Sequence, residues 1–290
     1  TRAATALLPS PLGASLVPRL AYVLAAIAVE EKRWAEARQW TLRLVNDFPA
    51  DAAADDGLAR LGAGALAVKE WPLVRESYQL LLTRYPQSPH AEEARLDLAE
   101  ALLRTGAPAE ARGLLDPVIA AATSDPRLPR ALFLLAEAQA ATGDRAKAIE
   151  TLARLVGEHP SAELLGTAQL VRGRLLQETG RWEESRPVLE TVLDNGDAGA
   201  RVEAAFRLGE GYRARGLHAE AVEAYMTAAY LAPESPWGRR ALLGAGQSFA
   251  GLKDSKSAAI VYRKLLGQPG VEPELAAEVK KALKELGPER

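Results

Sequence analysis

A nearly constant spacing of small residues constrains the fold of this chain more than any other feature. One column of residues recurs every 36 or 37 positions: Ala37, Val74, Ala111, Ala148, Ser185, Ala221 and Ala258. Twelve residues earlier, a second column contains only alanine or glycine: Ala25, Gly62, Ala99, Ala136, Gly173, Gly209 and Gly246. Side chains this small allow two helix backbones to approach closely. A fixed period of this length indicates supersecondary units stacked in tandem.

Each repeat has the pattern of two helices joined by a tight turn. Five residues before the first column lies a turn column: Lys32, Lys69, Gly106, Gly143, Gly180, Gly216 and Lys253. Glycine at this position permits the positive φ of a helix C-terminus. Apolar residues then follow at helical spacing, as at Tyr78, Leu81 and Leu82. Proline, which cannot continue a helix, ends four of the repeats at Pro49, Pro86, Pro160 and Pro233.

The same patterns predict the boundaries of the array. Residues 16–272 form seven repeats, residues 1–15 a tail or the remnant of an upstream segment, and residues 273–290 a capping helix and tail. Ser88-Pro89 and Ser235-Pro236 predict helix starts, with serine as the cap and proline at the first helical position. Pro117 and Pro187 fall inside second helices and predict a kink or an early end there.

Composition excludes several classes of protein. The net charge of −2 gives no basic face for nucleic acid, and the absence of cysteine excludes thiol chemistry and disulfides. The longest apolar stretch, Leu20 to Val29, is too short to span a bilayer. The three histidines lie in different repeats, and no metal-binding or phosphate-binding motif occurs. We therefore expect no catalytic residues, no cofactor and no metal, and a first residue other than methionine suggests a mature or shortened form.

The repeat resembles the tetratricopeptide repeat. The sixth unit carries the residues of that pattern most fully: Leu208, Gly209, Tyr212, Ala221, Tyr225, Ala228 and Pro233. The resemblance implies an all-α, right-handed α-α superhelix of about seven repeats with a C-terminal capping helix. It also implies a non-catalytic scaffold for protein–protein interaction. The family's usual period is about 34 residues, and the extra residues here fall in the loop between repeats.

That longer loop is similar to the one in bacterial envelope proteins of this family, such as the outer-membrane β-barrel assembly lipoprotein and the periplasmic coordinator of the Tol-Pal system. We therefore expect a periplasmic or envelope-associated scaffold, with any membrane association provided by an N-terminal anchor outside this sequence. The alternative is a module of a larger cytoplasmic regulator or multidomain enzyme. Binding of a chaperone's C-terminal tail is not expected, because the first helices lack the lysine and asparagine of the family's carboxylate clamp.

The resemblance also implies where a partner protein or peptide binds, since first helices line the concave groove in this family. The candidate groove residues are Arg19, Arg60, Glu93, Asp97, Glu100, Arg130, Glu137, Arg174, Arg207, Glu210, Trp237 and Arg240. Acidic residues cluster in repeats 3 and 4 and arginines in repeats 5 to 7, so the groove has a charge polarity that could orient a peptide. Two alternatives stay open. The candidate residues form an ordinary solvated face and no binding groove, and Trp237 covers the interface with repeat 7 instead of contacting a partner.

Overall fold

The computed structural model describes residues 13–121, 125–161 and 163–286, and over these residues its regular structure is helical throughout. The chain divides into two compact units after Asp144. The first unit contains α1 Gly13–Glu30, α2 Trp34–Asp47, α3 Ala52–Ala67, α4 Trp71–Arg84, α5 Ala91–Arg104, α6 Pro108–Ala121 and α7 Leu128–Ala141. The second contains α8 Arg145–Glu158, α9 Leu165–Glu178, α10 Trp182–Asn195, α11 Ala198–Arg213, α12 His218–Leu231, α13 Pro236–Gly251, α14 Ser255–Leu266 and α15 Pro273–Glu285. The predicted all-α class is confirmed.

The turn column ends the first helix of every repeat in the same way. All seven of its members have positive φ, from 56° at Lys32 to 87° at Gly143. The next residue donates its backbone N–H to a carbonyl five residues back, as Arg33 does to Ala28 at 2.7 Å and Leu217 to Tyr212 at 3.0 Å. This is the Schellman motif, which satisfies helix carbonyls that would otherwise lack donors. The sequence prediction of the turns is confirmed, including the three turns occupied by lysine.

Lysine in the left-handed region gives a prediction about stability. Lys69 has a φ of 62°, a conformation that costs an L-residue about 1–2 kcal/mol. Glycine does not have this steric cost, but the ordering of its more flexible backbone on folding costs about 0.5–1 kcal/mol. We expect Lys69→Gly to raise the free energy of unfolding by about 0.5–1 kcal/mol, measured by urea denaturation. The reverse change, Gly106→Lys, should lower the free energy of unfolding by a similar amount, although a Cβ at this position meets no atom within 4 Å. Variants as stable as the wild type at both positions would contradict the strain argument.

The alanine-or-glycine column is the site of closest packing between the two helices of a repeat. A Cβ built on Gly62 would lie 2.6 Å from the ring of Tyr78, and one on Gly209 would lie 2.6 Å from the ring of Tyr225. Repeats with alanine in this column have a residue smaller than tyrosine sixteen positions later, such as Leu115 after Ala99. The volumes of the two columns therefore compensate each other in six of the seven repeats; the exception is Gly173, which faces Leu189.

Several local predictions are corrected by the structure. Helix α1 begins at Gly13, three residues before the predicted start of the array, while residues 1–12 and 287–290 lie outside the described residues. Ser235 caps α13 as predicted, but α5 begins only at Ala91. His90 occupies the cap position of α5, while the Ser88 hydroxyl accepts the backbone N–H of His90 at 3.2 Å and donates to Asp55 at 2.6 Å.

The prediction of an early helix end at the internal prolines is also wrong. Helix α6 continues four residues beyond Pro117, and α10 continues eight residues beyond Pro187. Both prolines are exposed. Each proline removes one backbone N–H, and the rest of each helix forms around it.

Candidate partner-binding surface

The first helices of the repeats form a layer of their own in each unit. In the first unit, α1 contacts α3, α3 contacts α5, and α5 contacts α7. In the second, α9, α11, α13 and α15 contact one another in the same order. Where a second helix lies in the same unit as both neighbouring first helices, it packs between its own first helix and the next one. First helices that contact the first helix of the next repeat lie on the more closely spaced side of a stack. A groove forms on that side.

The candidate groove residues lie on this layer but differ in exposure. In the first unit, Arg19, Arg60 and Glu93 are exposed. Glu100, Arg130 and Glu137 are half-buried, and Asp97 is buried. In the second unit, Arg240 is exposed, and a half-buried group comprises Arg174, Arg207, Glu210 and Trp237. The charges of the two sets are paired differently.

Arg130 neutralises most of the acidic stretch in the first unit. Its guanidinium nitrogens lie 2.6 Å from a Glu93 carboxylate oxygen, 2.7 Å from one of Asp97 and 2.9 Å from one of Glu100. The side chain of Asp97 is only 5% exposed. Burial alone would lower the pKa of Arg130, but the hydrogen bonds that it donates to Glu100 and Asp97 raise this pKa overall, so the guanidinium stays charged.

The pairing extends to the tyrosine beneath this network. Burial raises the pKa of the Tyr78 phenol, and the charge of Asp97 together with a hydrogen bond to it raises that pKa further. Tyr78 is on the second helix of repeat 2 and Asp97 on the first helix of repeat 3. The network therefore joins neighbouring repeats and contributes to stability as well as to surface charge.

Other charges on the first helices of the first unit are paired across repeats as well. Arg60 binds Glu30 at 2.9 Å, and His90 contacts Asp56 at 2.8 Å. Arg104 reaches Glu137 at 3.3 Å. The acidic stretch predicted from the sequence is thus a ladder of ion pairs rather than a free negative surface. The partners Glu30, His90 and Arg104 were missed, although opposite charges 30 to 34 residues apart could have indicated them.

In the second unit, Trp237 and Arg207 belong to the interface between neighbouring first helices. The Trp237 ring packs on Phe206 with a centroid distance of 5.1 Å. The guanidinium of Arg207 lies 5.3 Å from the centre of the same ring and also pairs with Glu203 and Glu210. Of the two alternatives for Trp237, these contacts favour packing. A cation over an indole face stabilises by about 0.5–1 kcal/mol at a partly exposed site.

Two arginines of the second unit remain available on this surface. Arg240 is exposed and makes no ion pair with any residue in the described ranges. Among the residues described, Arg174 forms one ion pair, with Glu178 one helical turn away at 3.7 Å. An exposed pair of this kind is weak. The positive charge predicted from the sequence in this half of the chain is therefore accessible at Arg174 and Arg240.

Trp182 and His218 of the second unit serve packing. Trp182, which is buried, fills the space that a side chain on Gly211 would need, and His218 likewise packs against Gly251. Among the residues described, no group of three or more histidine, aspartate or glutamate side chains is arranged to hold a metal ion. None of the helices described is long and apolar enough to cross a membrane.

Comparisons with known proteins agree with this geometry. Three family models described as tetratricopeptide repeat match residues 81–132, 130–162 and 170–236. A tetratricopeptide repeat protein from Parabacteroides merdae is 15% identical and superposes with a TM-score of 0.59, covering 93% of this chain and 98% of that one. MamA from Desulfovibrio magneticus is 23% identical with a TM-score of 0.52, covering 60% and 93%. No curated protein matches the sequence. Identities this low establish the fold and nothing more specific.

Proposed function

Because the chain is built from tetratricopeptide repeats, we propose that it is a non-catalytic scaffold that binds an extended segment of another protein on its first-helix layer. The observation that supports this most is the contrast between two kinds of position. Packing columns repeat the same small or apolar residues, whereas the outward positions of the first helices differ from repeat to repeat. Variation on an accessible surface of this kind allows selective recognition of a polypeptide.

The chemistry of the second unit indicates what the bound segment carries. Arg174 and Arg240 present guanidinium groups without a strong intramolecular partner. Such groups form bidentate, charge-assisted hydrogen bonds with carboxylates. We therefore expect the partner segment to place acidic side chains against the first helices α9 and α13. The paired charges of the first unit make that unit a weaker candidate for electrostatic recognition.

The test is a comparison of association rates at low and high salt. The partner is first isolated by affinity capture and mass spectrometry, and its binding to the wild type and to Arg174→Glu/Arg240→Glu is then measured. We expect association at least about tenfold slower for the variant at low salt, since complementary charge accelerates encounter by factors of about 10 to 1,000. The difference should largely disappear at 1 M salt, where the Debye length is about 3 Å.

A matched control separates a local effect from a general effect of charge. Arg154→Glu/Arg186→Glu makes the same change in net charge on exposed positions of the second helices α8 and α10. We expect this control to associate at nearly the wild-type rate. Equal slowing in the two double variants would contradict recognition through the first-helix layer.

Location in a bacterial envelope is a separate part of the proposal. Its support is the longer loop between repeats, which is held to the preceding first helix by Ser88 to Asp55 and His90 to Asp56. Expression of the full-length gene with a C-terminal tag, followed by fractionation, tests this part. We expect the tagged protein in the periplasmic or membrane-associated fraction; recovery only from the cytosol would contradict it and favour a module of a cytoplasmic regulator.

A further inference from the structure

A small cleft lies between α2 and α4, the second helices of the first two repeats. It encloses about 270 Å³, less than the roughly 300–1,000 Å³ of pockets that hold a whole small molecule. Its apolar lining consists of Trp34, Ala35, Pro72 and Leu73. Trp34 and Leu73 are half-buried and pack on the same hydrophobic cluster beneath the cleft. The floor is therefore held in place by the core, and the space above it has room for one side chain of a larger molecule.

Leu73 is the one apolar residue in its repeat column. The equivalent positions in the other six repeats are polar: Glu36, Glu110, Lys147, Glu184, Glu220 and Ser257. Those of repeats 3 to 6 are exposed, so this column faces solvent in an ordinary repeat and receives no neighbouring helix. Packing of the repeats therefore does not require leucine here. Beside Trp34, Leu73 instead provides apolar surface from which a bound side chain would displace water.

The rim of the cleft carries one negative charge that the described residues leave unpaired. Its charged residues are Arg38, Glu70 and Glu76. Arg38 binds Glu76 across the cleft, with its Nε 2.9 Å and 2.8 Å from the two carboxylate oxygens. Glu70 occupies the cap position of α4, but its side chain makes no capping hydrogen bond and no ion pair with a described residue. Since Arg38 and Glu76 neutralise each other, the rim has a net charge of about −1 from Glu70.

We propose that this cleft binds the side chain of a lysine or arginine from a partner polypeptide. The aliphatic stem of such a side chain packs on apolar surface while its charged head stays at the edge. Trp34 and Leu73 provide that surface, and the Glu70 carboxylate accepts a charge-assisted hydrogen bond from the head. An acidic side chain would meet Glu70 with like charge. The cleft therefore selects the opposite charge from the one that Arg174 and Arg240 favour, and it is a site separate from the first-helix layer.

Titration with three probes that differ in charge tests this site. The probes n-butylammonium, n-butanol and butyrate share a short alkyl chain and are cationic, neutral and anionic. Binding is followed on the indole N–H resonances of the five tryptophans in ¹⁵N-labelled protein, and Trp34→Phe assigns the resonance of Trp34. We expect a saturable shift of that resonance with n-butylammonium, with a dissociation constant on the order of 10 mM because the probe is small. The alcohol should bind about two- to fivefold more weakly, the contribution of one exposed ion pair, and butyrate should not saturate.

Charge reversal on the rim provides the matched variants. Glu70→Lys changes an exposed side chain that caps nothing and should raise the dissociation constant for n-butylammonium at least about tenfold. Glu223→Lys, the same substitution at an exposed position of α12, should leave it unchanged. The proposal would be overturned by the absence of a saturable shift at Trp34, by equal binding of n-butanol, or by unchanged binding in Glu70→Lys. Arg174→Glu/Arg240→Glu should bind the probe like the wild type, so failure here and failure of the scaffold proposal can be told apart.

Discussion

Replacement of Gly209 by leucine is expected to lower the free energy of unfolding by about 3 kcal/mol, the upper part of the range for overpacked cores. A Cβ at this position would lie 2.6 Å from the ring of Tyr225. The ring cannot move away, because on its other side a Cβ on Gly244 of the next first helix would lie 2.5 Å from it. Tyr225 is 1% exposed, so both helix contacts have to open before a larger side chain fits.

Urea denaturation of the variant and of a glycine control measures this effect. Gly113→Leu makes the same substitution on the exposed side of α6, where no atom lies within 4 Å, and should leave stability unchanged or increase it through helix propensity.

A double-mutant cycle makes the test more specific. Gly209→Ala/Tyr225→Leu recreates the alanine–leucine pair of Ala99 and Leu115 and should be more stable than the sum of the two single changes predicts. Additive changes would show that the two columns do not compensate each other.

Replacement of Arg130 by methionine is expected to destabilise the first unit by about 2–3 kcal/mol, the cost of leaving a buried carboxylate without its charged partner. Asp97 is the residue that sets this cost, because its side chain is 5% exposed and Arg130 is the cation that binds it. Glu93 is much more exposed and can be solvated when the arginine is lost.

Rescue by a second substitution distinguishes charge from packing. Arg130→Met/Asp97→Leu removes the buried carboxylate together with its partner and should recover most of the lost stability, since apolar replacements of a buried pair are often neutral or stabilising. Arg154→Met, which breaks an exposed pair with Glu158, should cost no more than about 0.5 kcal/mol. An Arg130→Met variant as stable as the wild type would show that the ladder of ion pairs contributes only to surface charge.

The repeat architecture could be predicted from the sequence because its signals are local. The period, the small-residue column and the turn column each depend on residues within one helix pair, and the structure confirms the turns even where lysine replaces glycine. The start of α5 could not be predicted, because the loop before it is bound to the previous repeat through Ser88 to Asp55 and His90 to Asp56, and His90 takes the cap position. That choice depends on a contact across the interface between repeats.

The electrostatics of the candidate surface were less predictable for the same reason. Glu93, Asp97 and Glu100 form an acidic patch when their own helix is considered alone. Arg130 removes that patch by binding all three from the next repeat. A charge reversal of those carboxylates, which the sequence alone suggests would affect only binding, would therefore also affect stability.

The central claim, that a partner polypeptide lies on the first-helix layer, is tested most directly by photocrosslinking from single cysteines. A cysteine-reactive photocrosslinker is attached at Thr167 or Arg240 on first helices, and at Glu150 or Glu223 on second helices, all of which are exposed positions of the second unit. The captured partner is then added and illuminated, and crosslinked product is quantified for each position. The account predicts that most of the product forms from Thr167 and Arg240. Equal or greater yields from Glu150 and Glu223 would contradict it and place the partner on the second helices.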